Sequence, residues 1–144
     1  MKRVVLLLFV FMLMSCSKSK ESSLLSESSI REYDYADVED RFIEWERILS
    51  LDNQYYVYIY SSRCGHCNDI KQDVLRYALT HESFYFVSFT KDIPIIQDES
   101  TNIGVDSYER LGIVGTPTLF EIHNHIVTNC FTGSTAIIET LTKS

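Results

Sequence analysis

Residues 55–67 read Tyr-Tyr-Val-Tyr-Ile-Tyr-Ser-Ser-Arg-Cys-Gly-His-Cys. Tyr55–Tyr60 is a run of aromatic and β-branched side chains without polar alternation, which suits a central strand covered on both faces. The run stops at two serines. After Cys64-Gly65-His66-Cys67, the residues Ile70, Val74, Leu75, Ala78 and Leu79 recur at helical spacing as far as about His81. Cys64 therefore falls at a helix N-terminus, where unpaired amides favour thiolate over thiol. Arg63 beside it and His66 within the dipeptide add positive charge, and an imidazolium near the thiolate makes the disulfide a stronger oxidant. Two thiols this close together enclose too short a loop to constrain the unfolded chain, so redox chemistry is expected of them rather than stapling.

Working outward, Ile30–Tyr35 is expected as a short edge strand. Asp37-Val38-Glu39-Asp40 looks like an N-cap and acidic first turn, and Val38, Phe42, Trp45 and Leu49 predict an amphipathic helix with Trp45 in the core. Phe84–Phe89 reads as the next buried strand. Asp92–Asp106, with Pro94 and Gly104, has weak periodicity and is expected as an irregular excursion, serving either as a docking surface or as a surface insertion. Asp106-Ser107-Tyr108-Glu109 resembles a capping box opening a short helix that Gly112 ends. Gly115-Thr116-Pro117-Thr118 leads into a strand at Leu119–Ile122. His123-Asn124-His125 turns it into a second strand, Ile126–Thr132, and Ser134 caps a last helix, Thr135–Leu141. The predicted order is β-α-β-α-β-α-β-β-α, an α/β fold whose mixed sheet has helices on both faces. Tyr55, Tyr56, Tyr58, Tyr60, Phe84, Tyr85, Phe86 and Phe89 are read as core aromatics.

The N-terminus carries Lys2 and Arg3, an apolar run Val4–Leu13 and then Leu13-Met14-Ser15-Cys16, the pattern of an export leader. The run is well short of the roughly 20 residues that span a bilayer. Leu-x-Ser-Cys resembles a bacterial lipoprotein box, which implies cleavage before Cys16 and acylation of its thiol. The expected organisation is a leader at 1–15, a lipidated Cys16 with a Ser-rich tether at 16–29, and one domain at 30–144. That places the domain outside the cytoplasm, held to the cell membrane by lipid. The net charge is −7 among 144 residues, and loss of Lys2 and Arg3 with the leader makes it more negative, so contact with nucleic-acid phosphate is not expected. The length allows one well-buried core, and nothing in the composition demands more than a monomer.

From about residue 30 to 143 the chain resembles the thioredoxin fold family. The resemblance is carried by the strand, Cys64-Gly65-His66-Cys67 and helix, by Gly115-Thr116-Pro117-Thr118, and by the closing hairpin, Gly133 and helix. Small lipoprotein members look closest, and the Gly65-His66 dipeptide is of the protein disulfide isomerase type. The resemblance implies that Cys64 is the exposed nucleophile and Cys67 the resolving thiol. It also implies a cis Pro117 facing the pair, with Thr116 offering backbone hydrogen bonds to an extended substrate. No cofactor is implied beyond the Cys64–Cys67 disulfide itself. Partners would be thiols and disulfides of exported proteins, and a membrane redox protein. Two departures stand out: Arg63 where the family usually has Trp, and Tyr58 where a buried carboxylate commonly serves as proton acceptor for the second cysteine.

Two other readings use the same residues. Cys64, His66 and Cys67 could ligate Cu(I) or Zn(II), with His81, His123 or His125 completing a shell, although no metal is expected on balance. An accessory role dedicated to one exported disulfide-containing peptide is the other. Cys130 is expected to be a small buried hydrophobe.

Overall fold

Residues 31–143 are described by the computed structural model. The leader expected at 1–15, the tether at 16–29 and the lipid on Cys16 lie outside the described residues. Four strands, β1 (Gln54–Tyr60), β2 (Phe84–Ser88), β3 (Thr118–His123) and β4 (Ile126–Thr132), form one sheet in the order β2-β1-β3-β4. β1 runs parallel to β2 and antiparallel to β3, and β3 pairs antiparallel with β4. The parallel β1–β2 crossover is made by α1 (Gly65–Thr80), and α2 (Ser134–Lys143) closes the chain. No helix among the described residues is long and apolar enough to cross a membrane.

The alternation of side chains along β1 sorts the core into two halves. Tyr55, Val57 and Ile59 face one cluster with Trp45, Ile48, Phe120, Ile122 and Val127. Tyr58 and Tyr60 face the other, with Phe84, Phe86, Leu119 and the inward side of α1: Cys67, Ile70, Val74, Leu75 and Ala78. Both faces of β1 are thus covered, which is why its sequence lacks polar alternation. Leu79 departs from the expected helical face and is 39% exposed.

The N-terminal segment differs most from expectation. No strand forms over 31–35, and the predicted helix is two 3-10 turns, Tyr35–Arg41 and Trp45–Arg47. The break between them is a pairing event. Phe42 bridges Phe86 in parallel and the Ile43 amide donates to the Phe86 carbonyl at 2.9 Å, so these residues are drawn extended along the free edge of β2. The N-cap is Asp34 and not Asp37, which instead stands at N3 and completes a capping box with it. Trp45 is in the core as expected.

Segment 92–106 is an irregular excursion containing one 3-10 turn, Glu99–Asn102, and it belongs to the core. Ile93, Asn102 and Val105 are buried, and the Val127 amide of β4 donates to the Val105 carbonyl at 3.0 Å. The helix expected after Asp106 is a single 3-10 turn, Tyr108–Arg110. Its Ser107 makes no capping bond, because the hydroxyl donates to Glu109 instead. The β3–β4 hairpin turns on Asn124 and His125, both at positive φ (49° and 67°), as a two-residue turn matched to strand twist requires.

Candidate active site

Cys64 is the N-cap of α1. Its backbone is extended (φ −86°, ψ 116°), and its sulfur accepts from the Cys67 amide at 3.2 Å. A sulfur thus takes the place that a serine or aspartate oxygen usually holds at a helix start. It sits on unpaired amides at the positive end of α1. Cys64 is half-buried and Cys67, one turn in, is fully buried in the core cluster that also holds Tyr58, Phe84 and Ile70.

The two thiols are driven apart in acidity. Burial works against the Cys64 thiolate, but the Cys67 thiol, the Thr116 side chain and the amides of Cys67 and His66 donate toward it, and they hold its pKa below the ordinary thiol value. Burial, reinforced by the hydrogen bond and charge of Cys64, pushes Cys67 up to about 11. The Thr116 carbonyl lies 3.1 Å from the Cys64 sulfur and accepts from the thiol, a contact that exists only in the protonated form.

Thr116–Pro117 is a cis peptide. Pro117 is buried, and its carbonyl accepts from the Gly133 amide at 2.9 Å. Gly133 takes φ +90°, a conformation open to glycine, where β4 gives way to α2. The sheet order β2-β1-β3-β4 is joined to a parallel crossover that opens on Cys64 and to a proline loop, just before β3, whose Thr116 carbonyl meets the Cys64 sulfur. The fold is thioredoxin-like.

No family model matches the chain, and no curated protein does. Solved structures of similar shape include Plasmodium falciparum thioredoxin, at 16% identity and TM-score 0.49 over 72% of this chain and 97% of that one. Chlamydomonas reinhardtii thioredoxin f2 is similar at 17% identity and TM-score 0.46 over 71% and 89%. Spinach chloroplast thioredoxin f, long form, is similar at 13% identity and TM-score 0.46 over 78% and 96%. At these scores the thioredoxin-like assignment rests on the strand order and crossover described above.

Of the residues singled out in sequence, Cys64, Cys67 and Thr116 meet through hydrogen bonds, with Pro117 next to them. Arg63, Gly65 and His66 are exposed around the cysteine pair. His66 faces Asp69 at 3.8 Å, and its carbonyl accepts from the Ser134 hydroxyl at 3.1 Å. Ser134 is therefore the first residue of α2, with its side chain committed to the active-site turn and not to the expected cap. Nothing in the sequence around Gly133-Ser134 signals that link. His81 stacks on Tyr77 (3.7 Å between ring centres), and His125 bonds the Leu49 carbonyl at 2.8 Å. Among the described residues no group of three or more His, Cys, Asp or Glu comes together. Cys130 is half-buried on β4, its thiol pushed up by burial to about 12, with the Asn102 amide nitrogen 3.8 Å away.

Proposed function

We propose that this chain is a thiol–disulfide oxidoreductase in which Cys64 attacks and Cys67 resolves. The observation that carries the reading is the placement of two cysteines one helical turn apart: a partly accessible sulfur that caps α1 and accepts from the Cys67 amide at 3.2 Å, which favours its thiolate, and a fully buried one, whose burial favours its thiol. The Cys64 thiolate attacks a substrate disulfide, one substrate sulfur leaves, and a mixed disulfide remains. Cys67 then loses its proton and attacks the Cys64 sulfur. The Cys64–Cys67 bond forms, the second substrate thiolate departs, and the pair has been oxidised while the substrate has been reduced. Run backward, the same steps oxidise a substrate dithiol, and the partner supplying or removing electrons sets the direction. The exposed rim of Arg63, Gly65 and His66 tunes the pair, and the Thr116–Pro117 backbone receives an extended substrate segment. The dithiol is the only redox group required.

The leader and Cys16 support a site of action outside the cytoplasm on a lipid anchor, with thiols and disulfides of exported proteins as substrates and a membrane protein as redox partner. Trapping tests the whole reading. Cys67→Ala expressed from the full-length gene is expected to accumulate mixed disulfides through Cys64 in a membrane fraction, while Cys64→Ser accumulates none. Equal adducts in both variants, or none in either, would contradict it.

A further inference from the structure

The Tyr58 hydroxyl is the one buried side-chain nitrogen or oxygen without a hydrogen bond among the described residues. Buried hydroxyls are rarely left so. Its place in the sheet explains why the neighbouring strands cannot help: Tyr58 pairs with Phe86 on β2 and Leu119 on β3, neither with a polar side chain. Its ring lies against Phe86 at 6.0 Å, Phe84 at 6.4 Å and Tyr60 at 6.2 Å. Side-chain alternation along β1 aims it at α1, into the cluster that holds Cys67. No hydrogen bond joins the two in the resting protein, but the Cys67 sulfur lies in the same buried cluster and acts on the hydroxyl by its charge. The other titratable groups acting on it are Tyr35, stacked on Tyr60, and Cys64.

We infer that the Tyr58 hydroxyl is a donor held in reserve for the Cys67 thiolate, satisfied only when Cys67 ionises to resolve the mixed disulfide. The inference rests on the oxidoreductase reading. Cys67 is buried among apolar groups, so its charged form is the expensive species of the cycle. A neutral thiol is a weak acceptor, whereas a thiolate accepts a charge-assisted bond of much greater strength. A donor unpaired before the step and paired during it stabilises the transition state over the ground state, which is the condition for acceleration. Tyr58 is no base here: burial and then the nearby Cys67 charge push its own ionisation far up, so it keeps its proton. As the Cys67 sulfur bonds to Cys64, the departing substrate thiolate takes up the proton that Cys67 released, and the Tyr58 bond is dissolved with the charge.

Tyr58→Phe removes the hydroxyl and keeps the ring. With 5,5′-dithiobis(2-nitrobenzoate), attack by Cys64 releases one coloured thiolate and resolution by Cys67 releases the second. The variant is expected to keep the first rate within about twofold and to slow the second about tenfold or more, the loss of one hydrogen bond to a charged group. Equal slowing of both phases, or of neither, overturns the inference. The 13Cβ shift of Cys67 titrated in a Cys64→Ser background requires no exchange activity: Tyr58→Phe should move that titration to higher pH, and an unmoved titration overturns it. The denaturant midpoint should be unchanged or raised, and a lowered midpoint would mean that the hydroxyl has a partner in the resting protein. Failure of the oxidoreductase reading looks different, because then the unsubstituted protein gives no second release while the Cys67 titration still responds to Tyr58→Phe.

Discussion

The Cys64 sulfur lies 3.1 Å from the Thr116 carbonyl, 52 residues further along the chain, so the head of α1 and the loop before β3 meet at one atom. The carbonyl holds the thiol, while the Cys67 amide at 3.2 Å holds the thiolate. Because the donors outweigh burial and the carbonyl, Cys64 ionises below the ordinary thiol value of 9.0. Iodoacetamide alkylation mapped by mass spectrometry is expected to modify Cys64 first, with a rate that rises to its plateau below that pH. First modification at Cys67 or Cys130 would be the contrary result.

Stability of the reduced protein should fall on the alkaline side. Cys67 is raised from 9.0 to about 11 and Cys130 from 9.0 to about 12. Above pH 9 the unfolded chain gives up these protons while the folded one keeps them, so the stabilisation is complete below pH 9 and is lost as pH climbs through 11 and 12. For Cys67 the loss is on the order of 3 kcal/mol. Tyr55, raised to about 12, acts in the same sense. Urea unfolding between pH 8 and 11 is expected to show a shallower decline for Cys67→Ala than for the unsubstituted reduced protein.

Asn102 locks the excursion to the loop before β3. Fully buried, its amide group donates to the Gly112 carbonyl at 2.9 Å and accepts from the Gly112 amide at 3.1 Å. Asn102→Ala leaves both backbone groups unpaired and should cost about 2–4 kcal/mol in urea unfolding. Gly112→Ala should cost about 1–3 kcal/mol, since a Cβ would meet Ile96 at 2.5 Å and the Pro94 carbonyl at 2.9 Å. Gly115→Ala meets nothing within 4 Å and serves as the control.

Arg41 closes the C-terminal end of α1. Its guanidinium donates to the Ala78 carbonyl and, at 2.7 Å, to that of His81, where α1 runs out of amides. Arg41→Ala is expected to lower stability by about 1–2 kcal/mol by thermal or urea melting, and to leave Cys64 alkylation unchanged.

The parts of the fold legible in sequence are those whose residues serve one demand. Tyr55–Tyr60, the face Ile70–Val74–Ala78 and the hairpin on Asn124-His125 each have a pattern set by burial or turn geometry alone. Phe42 shows where that fails: its spacing with Val38, Trp45 and Leu49 fits a helix, but the free edge of β2 draws it into a bridge with Phe86. Asn102 was unreadable for a related reason, since its partners at Gly112 are brought near by packing and carry no local signal. At the site, the place of Cys64 at the head of α1 was legible because strand, cysteines and helix are contiguous, whereas the cis Thr116–Pro117 bond was implied by the family resemblance. The Ser134–His66 bond and the orphaned Tyr58 hydroxyl arise only when distant strands are assembled.

The reduction potential of the Cys64–Cys67 pair tests the central claim most directly, measured in glutathione buffers on the chain from residue 17 onward. The account predicts one two-electron transition, absent in Cys64→Ser, at a potential above the roughly −300 mV below which structural disulfides lie. A Cys64–Cys67 bond that resists reduction across those buffers, or one that never forms, would contradict it.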